Sequence, residues 1–194
     1  IVVYSSAISK ENPEWKEAVQ KKLKMIHRSE LLKELMKNQK SLVVSGTHGK
    51  TTTSTLLATV LRKAGECPSF AIGGIDLDIN TNGGWGEGVY FVAEGDESDG
   101  SFVNLDCHGA IITNLEEDHL DYYGSKDSLL SSFREFFEKI ENTDLCFWCG
   151  DDKELRNLNP RGSSYGFTSG CNIQILDYTQ NKWKTLFTLK EKDK

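Results

Sequence analysis

The chain has 194 residues, a length suited to one domain or to one domain with part of a second. With 38% hydrophobic and 10% aromatic residues it can bury a sizeable core, which excludes a disordered or collagen-like chain. A net charge of −6 without any basic run argues against nucleic acid or anionic lipid as a partner, and no apolar stretch approaches the ~18 residues of a membrane helix.

Five scattered cysteines, an odd number, speak against a disulfide framework and for a reducing compartment. The expectation is a cytoplasmic globular protein with no membrane insertion.

Residues 1–4 (Ile-Val-Val-Tyr) have the composition of a buried strand, with neither an initiating Met nor a signal peptide before them. Residues 190–194 form a charged tail directly after a strand pattern, so both ends read as cut from a longer chain. Asn12-Pro13-Glu14 supplies a cap, a proline for the first helical position and an acid at the positive end of the dipole. A helix over 13–23 follows, with Trp15, Val19 and Leu23 on one stripe. Ser29 is expected to cap a second helix that turns Leu31, Leu32, Leu35 and Met36 inward.

The pattern then changes. Residues 41–45 read as a short apolar strand, 46–50 as a glycine-containing loop and 51–64 as a helix ending before Gly65. Further strands are expected at 68–72, 89–93, 109–113 and 144–148, with a helix over about 126–141 capped by Ser125. Residues 171–178 and 182–189 suggest a hairpin across Thr179-Gln180-Asn181. The stretch 73–88, with six glycines, is expected to be a long mobile loop able to act as a lid. Apolar strands separated by helices predict an α/β fold: a mainly parallel sheet with a P-loop NTPase-like centre flanked by helices, closed by a C-terminal β-hairpin.

Gly46-Thr47-His48-Gly49-Lys50-Thr51-Thr52 lies between an apolar strand and a helix. Backbone N–H groups of such a loop, backed by a helix N-terminus, form a donor array for phosphate. Lys50 brings a point charge to the β/γ-phosphates, and the Thr51 hydroxyl can ligate Mg²⁺. The longer phosphate-loop pattern places a glycine five residues before Gly49, where this chain has Val44, so the loop is a shortened variant. Four hydroxyl residues, Thr52 to Thr55, are poor helix formers in the first turns and suggest ligand-facing roles.

Two apolar strands run into acidic clusters, Glu94-Gly95-Asp96-Glu97-Ser98-Asp99 and Asn114-Leu115-Glu116-Glu117-Asp118-His119-Leu120-Asp121. Ligands of open α/β sheets bind beyond the carboxyl ends of strands, so the phosphate loop and both clusters are expected to converge. Carboxylates beside a triphosphate repel it by roughly 1 kcal/mol per pair at 4 Å even in water unless a divalent cation intervenes. Glu94 is therefore a metal-ligand candidate and His119 a less usual one, while Glu116 and Glu117 read as solvated loop faces. Cys146 and Cys149 sit three apart on a strand, too far to chelate or bridge, and read as buried thiols. His27 and His108 carry no motif. Asp151-Asp152 reads as a cap for the next helix.

Taken together, these residues resemble the Mur ligases. The 46–53 loop is similar to their ATP loop in its His-containing form. Residues 93–102 resemble the family's A-E-A-D-E-S-D-A-S-F segment with glycine for alanine at two positions. Residues 113–121 are similar to T-N-x-E-x-D-H-x-D, and residues 3–8 to the V-x-S-S-A-I that ends the UDP-binding domain.

The resemblance implies that residues 1–40 are the end of a UDP-sugar domain and 41–194 most of an ATP domain. The family's adenine-contacting P-G-x-H-N-x-x-N segment and its amino-acid domain are missing from this stretch. It implies ATP and Mg²⁺ as cofactors and UDP-N-acetylmuramate and L-alanine as substrates, joined through an acyl phosphate on the lactyl carboxylate. Lys50, Glu94 and His119 would be catalytic, Thr51, Glu94 and His119 would hold metal, and Ser5, Ser6, Ala7, Ser98 and Asn114 would lie on the substrate side. Related ligases use a carbamylated lysine; Lys126 is the nearest lysine, with no motif to support it. The alternatives are a ligase attaching a ready-made peptide to the same sugar, marked by D-E-Y-D where this chain has Asp96-Glu97-Ser98-Asp99, a P-loop kinase or ATPase, and a non-catalytic nucleotide-binding module.

Overall fold

The computed structural model describes residues 1–118 and 120–192, with the Leu120 side chain outside that description. Strand β1 (Val2–Tyr4) pairs in parallel with β2 (Met25–His27), an element with no sequence signal of its own. Between them α1 (Pro13–Gln20) is capped by Asn12, whose Oδ1 accepts from Glu14 N at 2.8 Å. The helix stops at Gln20, and Val19 and Leu23 are exposed. The expected stripe is not buried; Ala18 is the residue turned inward, and Trp15 packs edge-on against Tyr4 at 4.7 Å.

Helix α2 (Arg28–Met36) begins two residues earlier than expected because β2 delivers the chain at His27. His27, not Ser29, is its cap: its ring accepts from Ser29 N, while Glu30 Oε1 accepts from His27 N at 3.1 Å. That reciprocal arrangement is a capping box built on histidine. Met36 is buried, whereas Leu35 is exposed.

Among the described residues a nine-stranded sheet has the order β11-β10-β9-β8-β7-β3-β6-β4-β5. Its members are β3 (Lys40–Ser45), β4 (Ser69–Asp76), β5 (Thr81–Gly84), β6 (Tyr90–Glu94), β7 (Gly109–Ile112), β8 (Cys146–Cys149), β9 (Ser163–Gly166), β10 (Ile173–Asn181) and β11 (Lys184–Glu191). From β4 through β10 neighbouring strands run parallel; β5 and β11 are antiparallel edges. The α/β expectation holds.

Alternation along β6 explains the layers: Phe91 and Ala93 join one cluster, Val92 the other. The larger cluster includes Met36 from α2, Phe102, and Phe133 and Phe136 from α5 (Lys126–Glu138), with the Phe102 ring 4.9 Å from that of Phe133. The smaller holds Ala58 of α3 (Lys50–Lys63) with Phe70 and Ile72 of β4. Ser125 caps α5 as expected, its side chain accepting from Ser128 N at 3.2 Å.

Two expectations are corrected. The glycine-rich stretch is a paired ribbon rather than a long loop: β4 continues through Asp76 and returns as β5, because Gly84 lets the ribbon lie on the Phe70 ring, which a Cβ there would meet at 2.7 Å. The C-terminal hairpin turns at Lys182-Trp183, with Asn181 opposite Lys184, and Lys182 takes the left-handed φ of +54°. Strand β9 has no sequence signal because Ser-Ser-Tyr-Gly has little apolar pattern; it is held by parallel pairing with β8 and β10. No helix among the described residues is long and apolar enough to cross a membrane.

Candidate active site

Strand β3 is central, with β6 on one side and β7 on the other, so its carboxyl end lies where the sheet's connections change direction. Val44 pairs with Glu94 and Ser45 with Ile112, which sets the three strand ends level. Ser45 Oγ donates to Gly95 O at 2.9 Å, and Thr113 N donates to Ser45 O at 3.0 Å. The convergence expected from the sequence is therefore a matter of register.

The loop after β3 lies on the segment after β7. Gly46, at φ +126°, has no space for a Cβ: one would fall 2.3 Å from Thr113 Oγ1 and 2.7 Å from Asn114 O. Asn114 reads the loop backbone, accepting from His48 N at 2.8 Å and donating to His48 O at 2.9 Å; Thr113 Oγ1 also donates to His48 O. Thr47 N donates to Asn114 O at 3.1 Å.

The N–H groups of Thr47 and His48 are thus spent on holding the loop. What is left to meet an anion is the N-terminus of α3, where Gly49 is the cap at φ +81° and no side chain caps the helix among the described residues. The uncapped first-turn N–H groups and the helix dipole supply the positive end. Asn114 is a builder of this loop. The His48 ring is exposed, 3.6 Å from Glu116 Oε2.

Lys50 is nearly buried and folds back on its own loop. Its Nζ donates to Gly46 O at 2.8 Å and Thr47 O at 3.0 Å, and lies 2.8 Å from Glu97 Oε2. Glu97, at 2% exposure, escaped sequence reading because it sits in an acidic run like any solvated loop. Burial pushes its carboxyl above the ordinary value of 4.5, and the Lys50 ammonium opposes that shift without cancelling it.

A carboxyl with a raised folded-state value binds more protons folded than unfolded between the two values, so its stability contribution falls as pH rises through them. Glu97→Gln is expected to remove this fall. Subtracting the variant's stability from that of the parent protein should give a difference declining upward from pH 4.5; a flat difference would refute the assignment.

Thr51 and Glu94 meet next to it: Thr51 Oγ1 donates to Glu94 Oε1 at 3.0 Å, while Glu94 Oε2 accepts from Gly73 N at 2.8 Å. A Cβ on Gly73 would lie 2.7 to 2.9 Å from the Glu94 oxygens and 2.8 Å from Thr51 Oγ1, so that glycine gives the pair its space. One hydroxyl and one carboxylate form a hard oxygen pair, which suits Mg²⁺ shared with substrate phosphates. No cage of three or more His, Cys, Asp or Glu exists among the described residues. His119, the other metal candidate, lies outside the described residues.

Two of the remaining hydroxyls of α3 are taken up within the helix rather than facing a ligand. Ser54 is buried, and its Oγ donates to Thr51 O at 3.1 Å; Thr55 Oγ1 donates to the same carbonyl at 2.7 Å. They bond back to the preceding turn. Thr52 is exposed.

Around the site, Glu117 pairs with Lys126 at 2.7 Å, and Lys126 also reaches Glu154 at 2.9 Å. Hydrogen bonds to these two acids raise the Lys126 pKa, so the side chain is a charged ion-pair partner rather than a neutral amine. Asp152 caps α6 (Lys153–Leu158) through Leu155 N at 2.9 Å and also accepts from Leu115 N at 2.9 Å, tying that cap to the acidic segment.

Ser6 Oγ donates to Asp99 Oδ2 at 2.6 Å, and Ser98 N donates to Asp96 Oδ1 at 3.1 Å. Ser5 and Ala7 lie in the turn after β1, with Ala7 N donating to Ser5 Oγ at 3.3 Å. All described cysteines are free; burial pushes the Cys146 thiol up to about 11, and Cys149 is half-buried rather than buried. His108 pairs with Glu141 at 3.2 Å, far down the chain from the loop.

A family model described as "Mur ligase middle domain" matches residues 44–194, and one described as "Mur ligase family, catalytic domain" matches residues 1–40. The chain belongs to the Mur ligase family. It is 46% identical over 194 residues to "UDP-N-acetylmuramate--L-alanine ligase" of Protochlamydia amoebophila, covering 100% of this chain and 43% of that protein. It is 43% identical over 189 residues to "Bifunctional enzyme MurC/Ddl" of Chlamydia caviae, covering 97% of this chain and 23% of that one. Its fold superposes on the UDP-N-acetylmuramate-alanine ligase MurC of Thermotoga maritima with a TM-score of 0.89 and 25% identity, over 100% of this chain and 44% of that one. This Mur ligase chain thus spans less than half the length of these relatives.

Proposed function

We propose that this chain is the nucleotide-binding part of an ATP-dependent ligase that joins L-alanine to the lactyl carboxylate of UDP-N-acetylmuramate in the cytoplasm. The observation that carries it is the pairing of Lys50 with Glu97 and of Thr51 with Glu94 at one uncapped helix N-terminus, between β3 and β6. The substrates come from the names of relatives at 46% and 41% identity. In this reading residues 1–40 finish a sugar-nucleotide domain and 41–194 form the ATP domain.

The reaction requires the lactyl carboxylate oxygen to attack the γ-phosphorus of ATP, releasing ADP and leaving an acyl phosphate. The alanine amine then attacks the acyl carbon, phosphate leaves, and the amine loses its proton. Most of what the protein contributes to the first step is position and charge, because the developing charge lies on phosphoryl oxygens. The first turn of α3 binds the phosphates, and Lys50 swings from Gly46 O, Thr47 O and Glu97 to the β/γ oxygens. Thr51 and Glu94 would hold Mg²⁺, which neutralises phosphate charge when bound. Gly73 N, donating to Glu94 Oε2, keeps that carboxylate aimed at the loop.

The deciding assay uses the full-length protein with ATP, Mg²⁺, UDP-N-acetylmuramate and L-alanine. Equal yields of ADP, phosphate and UDP-N-acetylmuramoyl-L-alanine are expected. Phosphate release without the amide product, or product only from a preformed peptide, would overturn the reading.

A narrower result separates the acids. Glu94→Ala is expected to raise the Mg²⁺ concentration for half-maximal activity by about 10–100-fold. Glu117→Ala, which removes only an exposed ion pair with Lys126, should shift it by less than about twofold. Equal shifts would mean that the acids act only as a diffuse field.

A further inference from the structure

Four acids occupy the six residues 94–99, and they are kept in place from outside the loop. Asp96 and Asp99 divide their work in the same way. One oxygen of each shapes the turn: Asp96 Oδ1 accepts from Ser98 N at 3.1 Å, and Asp99 Oδ1 accepts from Ser101 N at 3.0 Å. The other oxygen of each meets Arg28 Nη2, at 2.6 Å for Asp96 and 3.2 Å for Asp99. Asp99 Oδ2 also accepts from Ser6 Oγ at 2.6 Å and lies 3.6 Å from His27 Nε2.

Burial would push both carboxyls up. The serine hydrogen bonds and the Arg28 guanidinium outweigh it and hold them below the usual carboxylate range, so both are charged when Arg28 grips them. The grip straddles Glu97, the partner of Lys50, and its carbonyl, which accepts from Gly100 N at 3.0 Å and from Tyr123 OH. Arg28, His27 and Ser6 all belong to the 1–40 match, and the acidic turn to the 44–194 match.

We propose that Arg28 is a positioning residue: clamped between Asp96 and Asp99, it holds the 94–99 turn so that Glu94 and Glu97 meet Thr51 and Lys50. The inference rests on reading that turn as the metal and phosphate side of the nucleotide site. Through Arg28 the 1–40 segment would bear on a nucleotide site built in the 44–194 match. A guanidinium is suited to this task because the two N–H bonds of Nη2 diverge in a fixed plane, one toward each carboxylate, whereas an ammonium on a flexible stem has no such fixed plane.

The test compares full-length wild type with Arg28→Lys, Arg28→Ala, Asp99→Asn and the Arg28→Ala/Asp99→Asn double variant. Lys33→Ala serves as a control on the same helix, since Lys33 pairs with Asp106 at 2.9 Å away from the turn. ATP binding is measured by calorimetry across a Mg²⁺ titration, alongside KM, kcat and thermal stability. Arg28→Lys and Asp99→Asn are expected to weaken Mg²⁺-dependent ATP binding and raise KM for ATP roughly tenfold, since a small misplacement of positioned groups has effects of up to about 100-fold. The double variant should be no worse than the poorer single, and Lys33→Ala should match wild type.

Variants that lower thermal stability yet leave ATP affinity, KM and Mg²⁺ dependence within twofold of wild type would overturn the proposal, as would additive effects in the double variant. If Arg28→Ala does not fold, Arg28→Lys and Asp99→Asn decide the matter. Wild type that binds ATP–Mg²⁺ but makes no amide would refute the ligase reading while the Arg28 dependence is still read on binding. Wild type that binds no ATP–Mg²⁺ would overturn both.

Discussion

Lys50→Ala in the full-length protein is expected to lower ATP-dependent ligation by at least about 10²–10³-fold, the usual cost of removing one donor aimed at developing charge. The variant should also be less stable. Lys50 is not only a charge waiting for phosphate: it satisfies the carbonyls of Gly46 and Thr47 and faces the buried Glu97 carboxylate. Breaking a buried pair from one side leaves an uncompensated charge, at a cost of about 3–5 kcal/mol where burial is complete. Adding Glu97→Gln should therefore recover much of the lost stability while restoring none of the activity. Urea denaturation together with product chromatography checks both halves. Recovery of activity in the double variant would mean that Lys50 acts on Glu97 and not on phosphate.

Gly46→Ala should do comparable damage by a different route. At φ +126° an L side chain is strained, by about 1–3 kcal/mol. Its Cβ would also sit 2.3 Å from Thr113 Oγ1 and 2.7 Å from Asn114 O, and overpacking of this kind typically costs a further ~1–3 kcal/mol. The loop can relieve the overlap only by leaving Thr113 and Asn114, which breaks the hydrogen bonds that hold His48. Nucleotide affinity and stability are expected to fall together. Gly65→Ala, where no atom lies within 4 Å of the added Cβ at φ +85°, should show only the backbone cost and unchanged nucleotide binding. Similar ATP affinity in the two variants would remove the packing argument.

The sequence by itself determined the alternation of strands and helices, the phosphate loop and the position of Glu94 one step past a buried strand. These rest on local physics: periodicity, caps and turn residues act within a few positions of one another. Asn12 and Ser125 cap their helices for that reason, and Asp152 caps α6.

The tertiary structure alone decided what depended on partners distant in the chain. Strands β2 and β9 exist because β1 and β8 pair with them, and Val19 and Leu23 stay exposed because no element among the described residues packs over them. The glycine stretch became a ribbon because Phe70 and Glu94 lie close against it. Glu97 is the clearest case. In an acidic run its neighbours in sequence suggest solvent, but the register of β3 with β6 brings the loop carrying it onto Lys50, and burial then raises its pKa. The pairing of Asp96 and Asp99 with Arg28 was equally silent in sequence, since Arg28 lies 68 and 71 residues away. Hydrogen bonds and ion pairs between such distant residues form only after the chain has folded, so no local pattern records them.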